Sequence, residues 1–182
     1  MKFYKKFIPT QYVKDIKEIK YDCLLKQGIK ALFFDLDNTI IPYDISVIPP
    51  EIKNYLEQLN EDFKVVVVSN SRKKRVYNAT INLEKINVVK FARKPFKFGF
   101  KKALKFVGLK PSEVALIGDQ LMTDVYGGNR MKFKEIILVK PVKQKSDHLF
   151  TRINRYFERR MIKKISIKEP EIYEKVLSQY EK

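Results

Sequence analysis

The sequence predicts an α/β fold with a doubly wound parallel sheet, and three observations lead there. Short apolar runs alternate with segments of helical periodicity from residue 31 to residue 139. Two of the runs, Ala31 to Phe34 and Val65 to Val68, have no polar interruption, which is the pattern of strands buried on both faces. Residues able to handle phosphate or metal stand at the ends of four successive runs, and in such sheets the ligand site lies beyond the carboxyl ends of the strands.

Taken in order, residues 1–30 read as an arm with a short helix, because apolar residues from Val13 through Ile16 and Ile19 to Leu24 are spaced in a partly helical way. Strand one is 31–35. Pro49-Pro50 opens a helix over Glu51 to Asn60, with Ile52, Tyr55, Leu56 and Leu59 on one face. Strand two is the valine run 65–68, followed by Ser69-Asn70-Ser71 and a basic helix over 72–84. Strand three spans 87–91, ending near Arg93-Lys94-Pro95. A helix over 98–107 carries Phe100, Ala103, Leu104 and Val107 and stops at Gly108. Strand four, 114–117, runs into Gly118-Asp119. A short helix leads to Gly127-Gly128, read as a turn after it. Strand five is 135–139. The tail, 146–182, reads as two helices divided near Pro170. The expected organisation is one domain over 1–182.

Composition narrows the function. A net charge of +17, from 38 basic and 21 acidic residues, favours an anionic partner such as a phosphorylated metabolite, nucleic acid or an anionic membrane. A single cysteine, Cys23, rules out an intramolecular disulfide framework and fits a reducing compartment. A single histidine, His148, argues against a multi-histidine metal site. No apolar run reaches the roughly 18 residues of a membrane span, and no signal core follows the basic start. The expected location is cytoplasmic.

The stretch Asp35-Leu36-Asp37-Asn38-Thr39 carries the chemistry. Two carboxylates at the exit of a buried strand, two residues apart, project to the same side and repel each other. A hard divalent cation such as Mg²⁺ would hold them. Asp35 can attack a phosphoryl group, with Mg²⁺ on Asp35 and Asp119 reducing the repulsion. Asp37 can protonate the leaving oxygen and then deprotonate water. Ser69 and Asn70 are placed to hydrogen-bond phosphoryl oxygens, and Lys94 to supply fixed positive charge. Asp124, five residues after Asp119, is a metal ligand or supports one. Taken singly, these features are ordinary: Ser69-Asn70-Ser71 is helix-capping chemistry and Gly118-Asp119 is a turn. Their order along one sheet edge sets them apart.

Asp-Leu-Asp-Asn-Thr at 35–39, Ser69, Lys94-Pro95 and Gly118-Asp119-Gln120-Leu121-Met122-Thr123-Asp124 resemble, in order, the four motifs of the haloacid dehalogenase (HAD) superfamily. The nearer resemblance is to its class IIIA, YqeG-like subfamily, through Ile117 to Arg130 and a tail element Thr151-Arg152-Ile153-Asn154-Arg155 to Glu158-Arg159. It covers roughly residues 8–165. The resemblance implies a Rossmann-like HAD core and a Mg²⁺-dependent phosphomonoester hydrolase with an aspartyl-phosphate intermediate. It implies metal ligands at Asp35, Asp119 and the backbone carbonyl of Asp37. Phosphatidylglycerophosphate becomes one candidate substrate, since relatives in other lineages hydrolyse it, beside other large phosphorylated substrates such as a protein or a nucleic-acid end. One departure is Lys132, where the family pattern has glycine. The intervals from Asp37 to Ser69 and from Lys94 to Asp119 have no room for an inserted cap domain, so a capless site open to large substrates is expected. The alternative is a non-catalytic module that binds RNA or a ribosome-associated partner through its basic surface; no RNA-binding motif supports it.

Residues 140–168 hold ten basic side chains against two acidic ones, a balance of +8. Leu149, Ile153, Tyr156, Phe157, Met161 and Ile165 recur at helical spacing, as in a basic amphipathic helix. Packing of this apolar stripe on the sheet is the first expectation. Peripheral contact with an anionic membrane is the second.

Overall fold

The structure is a computed structural model that describes residues 2–142 and 149–180, with the side chains of 149–153 and 155 outside the description. Its centre is a six-stranded, wholly parallel sheet: β1 (Gln11–Val13), β2 (Ala31–Phe34), β3 (Lys64–Val68), β4 (Asn87–Val89), β5 (Val114–Gly118) and β6 (Glu135–Val139), in the order β1-β6-β5-β2-β3-β4. The chain runs outward from β2 through β3 to β4, then returns to β5 and runs outward the other way. The reversal lies between β2 and β5, where a ligand crevice is expected.

Seven α-helices are described: α1 (Tyr21–Lys26), α2 (Pro50–Asp62), α3 (Lys73–Ala79), α4 (Lys97–Val107), α5 (Tyr126–Met131), α6 (Leu149–Lys168) and α7 (Pro170–Val176). Side chains alternate across the sheet, so each strand feeds two cores. Phe33, Val66, Val68, Leu116, Ile136 and Leu138 face a core closed by Phe100, Ile162 and Ile165. Leu32, Phe34, Val65, Val67, Ala115 and Ile117 face one closed by Leu24, Leu56 and Val76. Strand β2 is buried at all four positions, as its unbroken apolar run requires.

Five sequence expectations change. The helical spacing from Val13 conceals β1, which makes a sixth strand, paired with Ile137–Val139 and anchored by the Thr10 and Lys140 amides donating to the Ile136 and Val13 carbonyls. Three residues are too few to show an alternation, and pairing rather than propensity makes this strand. Helix α3 covers 73–79 rather than 72–84. The Ile48 amide donates to the Ala79 carbonyl and Asn82 donates to the Ile48 carbonyl, so a neighbouring loop takes over the helix end. Strand β4 stops at Val89, not 91, where the backbone turns to positive φ at Phe91 and Arg93.

Gly127 and Gly128 are not a turn; they lie buried within α5. A Cβ on Gly127 would stand 2.7 Å from Phe100, and one on Gly128 2.9 Å from Leu116, so glycine lets α5 approach α4 and the sheet. The apolar stripe of α6 also differs. Its packed face is Glu158, Ile162 and Ile165, with Met161 at its margin, whereas Tyr156 and Phe157 are 56% and 47% exposed. Spacing identifies the helix but not its phase against the sheet. Lys143, Lys145, Asp147 and His148 lie outside the described residues. Lys132, where the resemblance leads one to expect glycine, ends α5 at φ 61°, ψ 41°, a left-handed cap that glycine adopts without strain.

Candidate active site

Two elements bring the site together at the switch point. The β2 ladder runs one residue past the strand, with the Asp35 amide donating to the Ile117 carbonyl at 2.8 Å, so Asp35 leaves the sheet beside β5. Strand β5 ends at Gly118-Asp119, after which one turn of π-helix, residues 121–125, carries Asp124 back toward the strand. A Cβ on Gly118 would stand 2.4 Å from the Asp124 carboxyl carbon, so this fold-back requires glycine.

Four charged side chains meet here. Lys94 Nζ donates to Asp35 Oδ1 at 2.5 Å and to Asp124 Oδ1 at 2.7 Å. Carboxylate oxygens of Asp35, Asp119 and Asp124 lie within 4.8 Å of one another. All four residues are at most 5% exposed. Burial raises the Asp35 carboxyl to about 7; Lys94 opposes this, while Asp124 and Asp37 add to it. For Lys94, burial opposes the charge, but the Asp124 and Asp35 carboxylates outweigh it and hold the pKa above its ordinary value. With Asp35, Asp119 and Asp124 all ionised, the one ammonium would leave a buried charge of −2, and burial resists that state at Asp35. An all-oxygen donor set with that deficit fits one hard divalent cation. Asp119 Oδ1 also accepts from Thr39 at 3.4 Å, and Asp124 Oδ2 from the Gln120 amide and the Thr123 hydroxyl, both at 3.2 Å.

A second cluster lies at the cleft wall. Asp37 accepts from the Ser71 hydroxyl at 2.6 Å and pairs with Arg75 at 3.0 Å. Ser69, fully buried, lies 3.5 Å from the same carboxylate, and its oxygen accepts the Ser71 amide at 3.1 Å. Asn70 is committed to the lysine loop: its side chain donates to the Lys94 carbonyl at 2.9 Å and accepts the Lys94 amide at 2.6 Å. The cleft, about 750 Å³, opens over Asp35, Asp37 and Lys94 and is also lined by Asn70, Ser71 and Arg75. Its lining includes Arg72, Lys74 and Arg93 as well, giving five cationic side chains against two carboxylates.

Sequence reasoning missed Ser71, Arg75, Asn154, Glu158 and Tyr180. Arg75 is one of four consecutive basic residues, and nothing in the sequence distinguishes it. Asn154 and Glu158 stood in the quoted tail element without a role. Asn154 donates to Gln120 at 3.3 Å, and buried Glu158 accepts the Met122 amide at 3.3 Å. Among the described residues no helix is long and apolar enough to cross a membrane.

A family described as mitochondrial PGP phosphatase matches residues 1–143. The protein named "Probable phosphatase YqeG" from Bacillus subtilis (strain 168) is 38% identical over 159 residues, covering 87% of this chain and 91% of that one. Phosphatidylglycerophosphate phosphatase 1, chloroplastic/mitochondrial, from Arabidopsis thaliana is 27% identical over 167 residues, which span 86% of this chain and 47% of that protein. Among solved structures, an uncharacterized protein from Listeria monocytogenes serotype 4b aligns with a TM-score of 0.49 at 17% identity, over 62% of this chain and 78% of that one. The family match and the relative from Bacillus subtilis agree: this chain belongs to the PGP phosphatase family, and it is a phosphatase.

Proposed function

We propose that the protein is a Mg²⁺-dependent phosphomonoesterase working through an aspartyl-phosphate on Asp35. The observation that carries this reading is the buried cluster of three carboxylates around one ammonium at the sheet's switch point. Asp35, Asp119 and the Asp37 carbonyl would hold the ion, with Asp124 beside them. When bound, Mg²⁺ supplies charge neutralisation and orientation for the phosphoryl oxygens.

The chain's own residues do the rest. An Asp35 carboxylate oxygen forms a bond to phosphorus as the bond to the leaving oxygen breaks, and Asp37 gives that oxygen its proton. Water then attacks the phosphorus of the aspartyl-phosphate and passes a proton to Asp37, which releases phosphate and regenerates Asp35. Lys94 supplies fixed charge beside the reacting carboxylate, and Asn70 holds the loop that carries it. Ser71 and Arg75 orient Asp37, and Ser69 stands behind it. Catalysis rests on positioning and electrostatics, as phosphoryl transfer generally does.

The substrate is large and carries a second anionic group. Among the described residues, α2 and β3 take up most of the interval from Asp37 to Ser69 and α4 and β5 most of that from Lys94 to Asp119, which favours an open site, and Arg72, Lys74 and Arg93 line the cleft without matching carboxylates among the lining residues. Phosphatidylglycerophosphate, a monoester beside a diester, fits, and the Arabidopsis relative carries that activity in its name. Exposed Arg159, Arg160, Lys163 and Lys164 on α6, with Tyr156 and Phe157, favour peripheral docking on anionic lipid from the cytoplasmic side. The phosphatase homology leaves the RNA-binding alternative without support.

The test is phosphate release from an aryl phosphate with and without Mg²⁺. Chelation should abolish release and Mg²⁺ restore it; turnover that survives exhaustive chelation rejects the metal assignment. For the membrane, the protein should pellet with anionic vesicles at low salt and release at high salt, because exposed charges are screened over about 10 Å at 0.1 M.

A further inference from the structure

We infer that the C-terminal tail, which lies beyond the residues 1–143 matched by the family model, is a working part of the metal site: Glu158 and Tyr180 are positioning residues that fix the Asp119–Asp124 loop. The inference rests on the metal reading above. Asp119 and Asp124 stand at the two ends of one short loop, so the spacing of their carboxylates depends on the backbone between them. Two tail side chains hold that backbone from outside, and a third holds the Gln120 side chain. The Tyr180 hydroxyl lies 3.0 Å from the Asp119 carbonyl. Glu158 Oε1 accepts the Met122 amide at 3.3 Å. Asn154 donates to Gln120 Oε1 at 3.3 Å, and both residues line the cleft. The Tyr180 hydroxyl also lies 3.2 Å from Glu158 Oε2, which joins the contacts into one network.

The choice of residue at 158 argues for this role. Glu158 is 2% exposed and occupies the packed face of α6 beside Ile162 and Ile165, which already anchor the helix on the sheet. If packing were the whole purpose, an apolar residue at 158 would serve at least as well, because burying a carboxylate is costly unless its hydrogen bonds are made. The carboxylate accepts the Met122 amide and faces the Tyr180 hydroxyl, whose single proton is shared between Glu158 Oε2 and the Asp119 carbonyl. Groups that hydrogen-bond around metal ligands typically change metal affinity by about 10–100-fold when removed.

The experiment titrates Mg²⁺ into the full chain by calorimetry and measures Mg²⁺ activation of aryl phosphate hydrolysis and the melting temperature. Tyr180→Phe keeps the ring and removes the hydroxyl. It should weaken Mg²⁺ binding about 10-fold, raise the Mg²⁺ needed for half-activation equally, and recover most of kcat at saturating Mg²⁺. Its metal-free melting temperature should stay close to wild type. Glu158→Ala should weaken binding further, and Glu158→Gln, which keeps an acceptor for Met122, should restore part of the loss. Wild-type Mg²⁺ affinity in Tyr180→Phe and Glu158→Ala would overturn the inference and leave the tail as packing alone. A wild-type protein that binds no Mg²⁺ would overturn the metal reading and this inference with it.

Discussion

Asp35 and Asp37 leave the same strand two residues apart, and the protein gives them different surroundings. Asp35 enters a dry cluster with Lys94, Asp119 and Asp124, where burial raises its carboxyl to about 7. Asp37 stands at the cleft wall with its side chain 16% exposed, held by Ser71 and Arg75. The inner cluster is short of positive charge and suited to a cation and a phosphoryl group. The outer carboxylate has a cation beside it and access to the cleft, which suits exchanging protons with a leaving group or water. In the proposed mechanism, environment and not residue type separates the two roles, as with paired carboxylates in other hydrolases.

The comparison can be broken from either side. The largest effect should follow Asp35→Asn, which removes the attacking oxygen: turnover disappears while the circular dichroism spectrum keeps its α/β shape. Asp37→Asn should slow both half-reactions by roughly 10²–10⁴ without abolishing phosphoenzyme formation, as pre-steady-state quench kinetics would measure. Gly118→Ala tests the geometry of the inner cluster. Its Cβ would meet the Asp124 carboxyl, so stability should fall by about 1–3 kcal/mol in urea titrations.

A fourth prediction uses pH. The Asp35 carboxyl, about 4 in the unfolded chain, is raised in the fold to about 7, so between those values the folded state holds the extra proton. Raising pH through that window therefore removes stability from the metal-free protein. The difference in melting temperature between wild type and Asp35→Asn should shift against wild type from pH 5 to pH 7.5 in EDTA. A difference that stays flat with pH would contradict the dry environment assigned to Asp35. The smallest effect lies outside the site. Lys132→Gly relieves a left-handed backbone and should stabilise the protein by about 1 kcal/mol.

The same contrast explains what could be read from sequence. Asp35 and Asp119 follow strands whose apolar runs are unmistakable, so their arrival at one sheet edge follows from topology, whereas Lys94 and Asp124 are brought there by the turns after β4 and β5. Asp37's partners do not follow from topology. Ser71 and Arg75 depend on how the loop after β3 curls and on the phase of α3, which a basic run does not encode. The tail contacts were hidden for another reason. The spacing of α6 identifies a helix, but the choice between Tyr156 and Ile162 as its packed face is made by the sheet. Strand β1 was lost because three residues carry no period. Gly127-Gly128 looks like a turn in sequence because the Phe100 and Leu116 side chains that crowd those positions are remote along the chain.

The central claim is that Asp35 carries the phosphoryl group. Turnover of an aryl phosphate with Mg²⁺ should be quenched within its steady state and reduced with borohydride, which converts an aspartyl-phosphate to homoserine. Peptide mass spectrometry should then find homoserine at position 35, at a higher level in Asp37→Asn, where breakdown is slow, and not in Asp35→Asn. Homoserine at another aspartate, or none at any position in an enzyme that is turning over, would contradict the account.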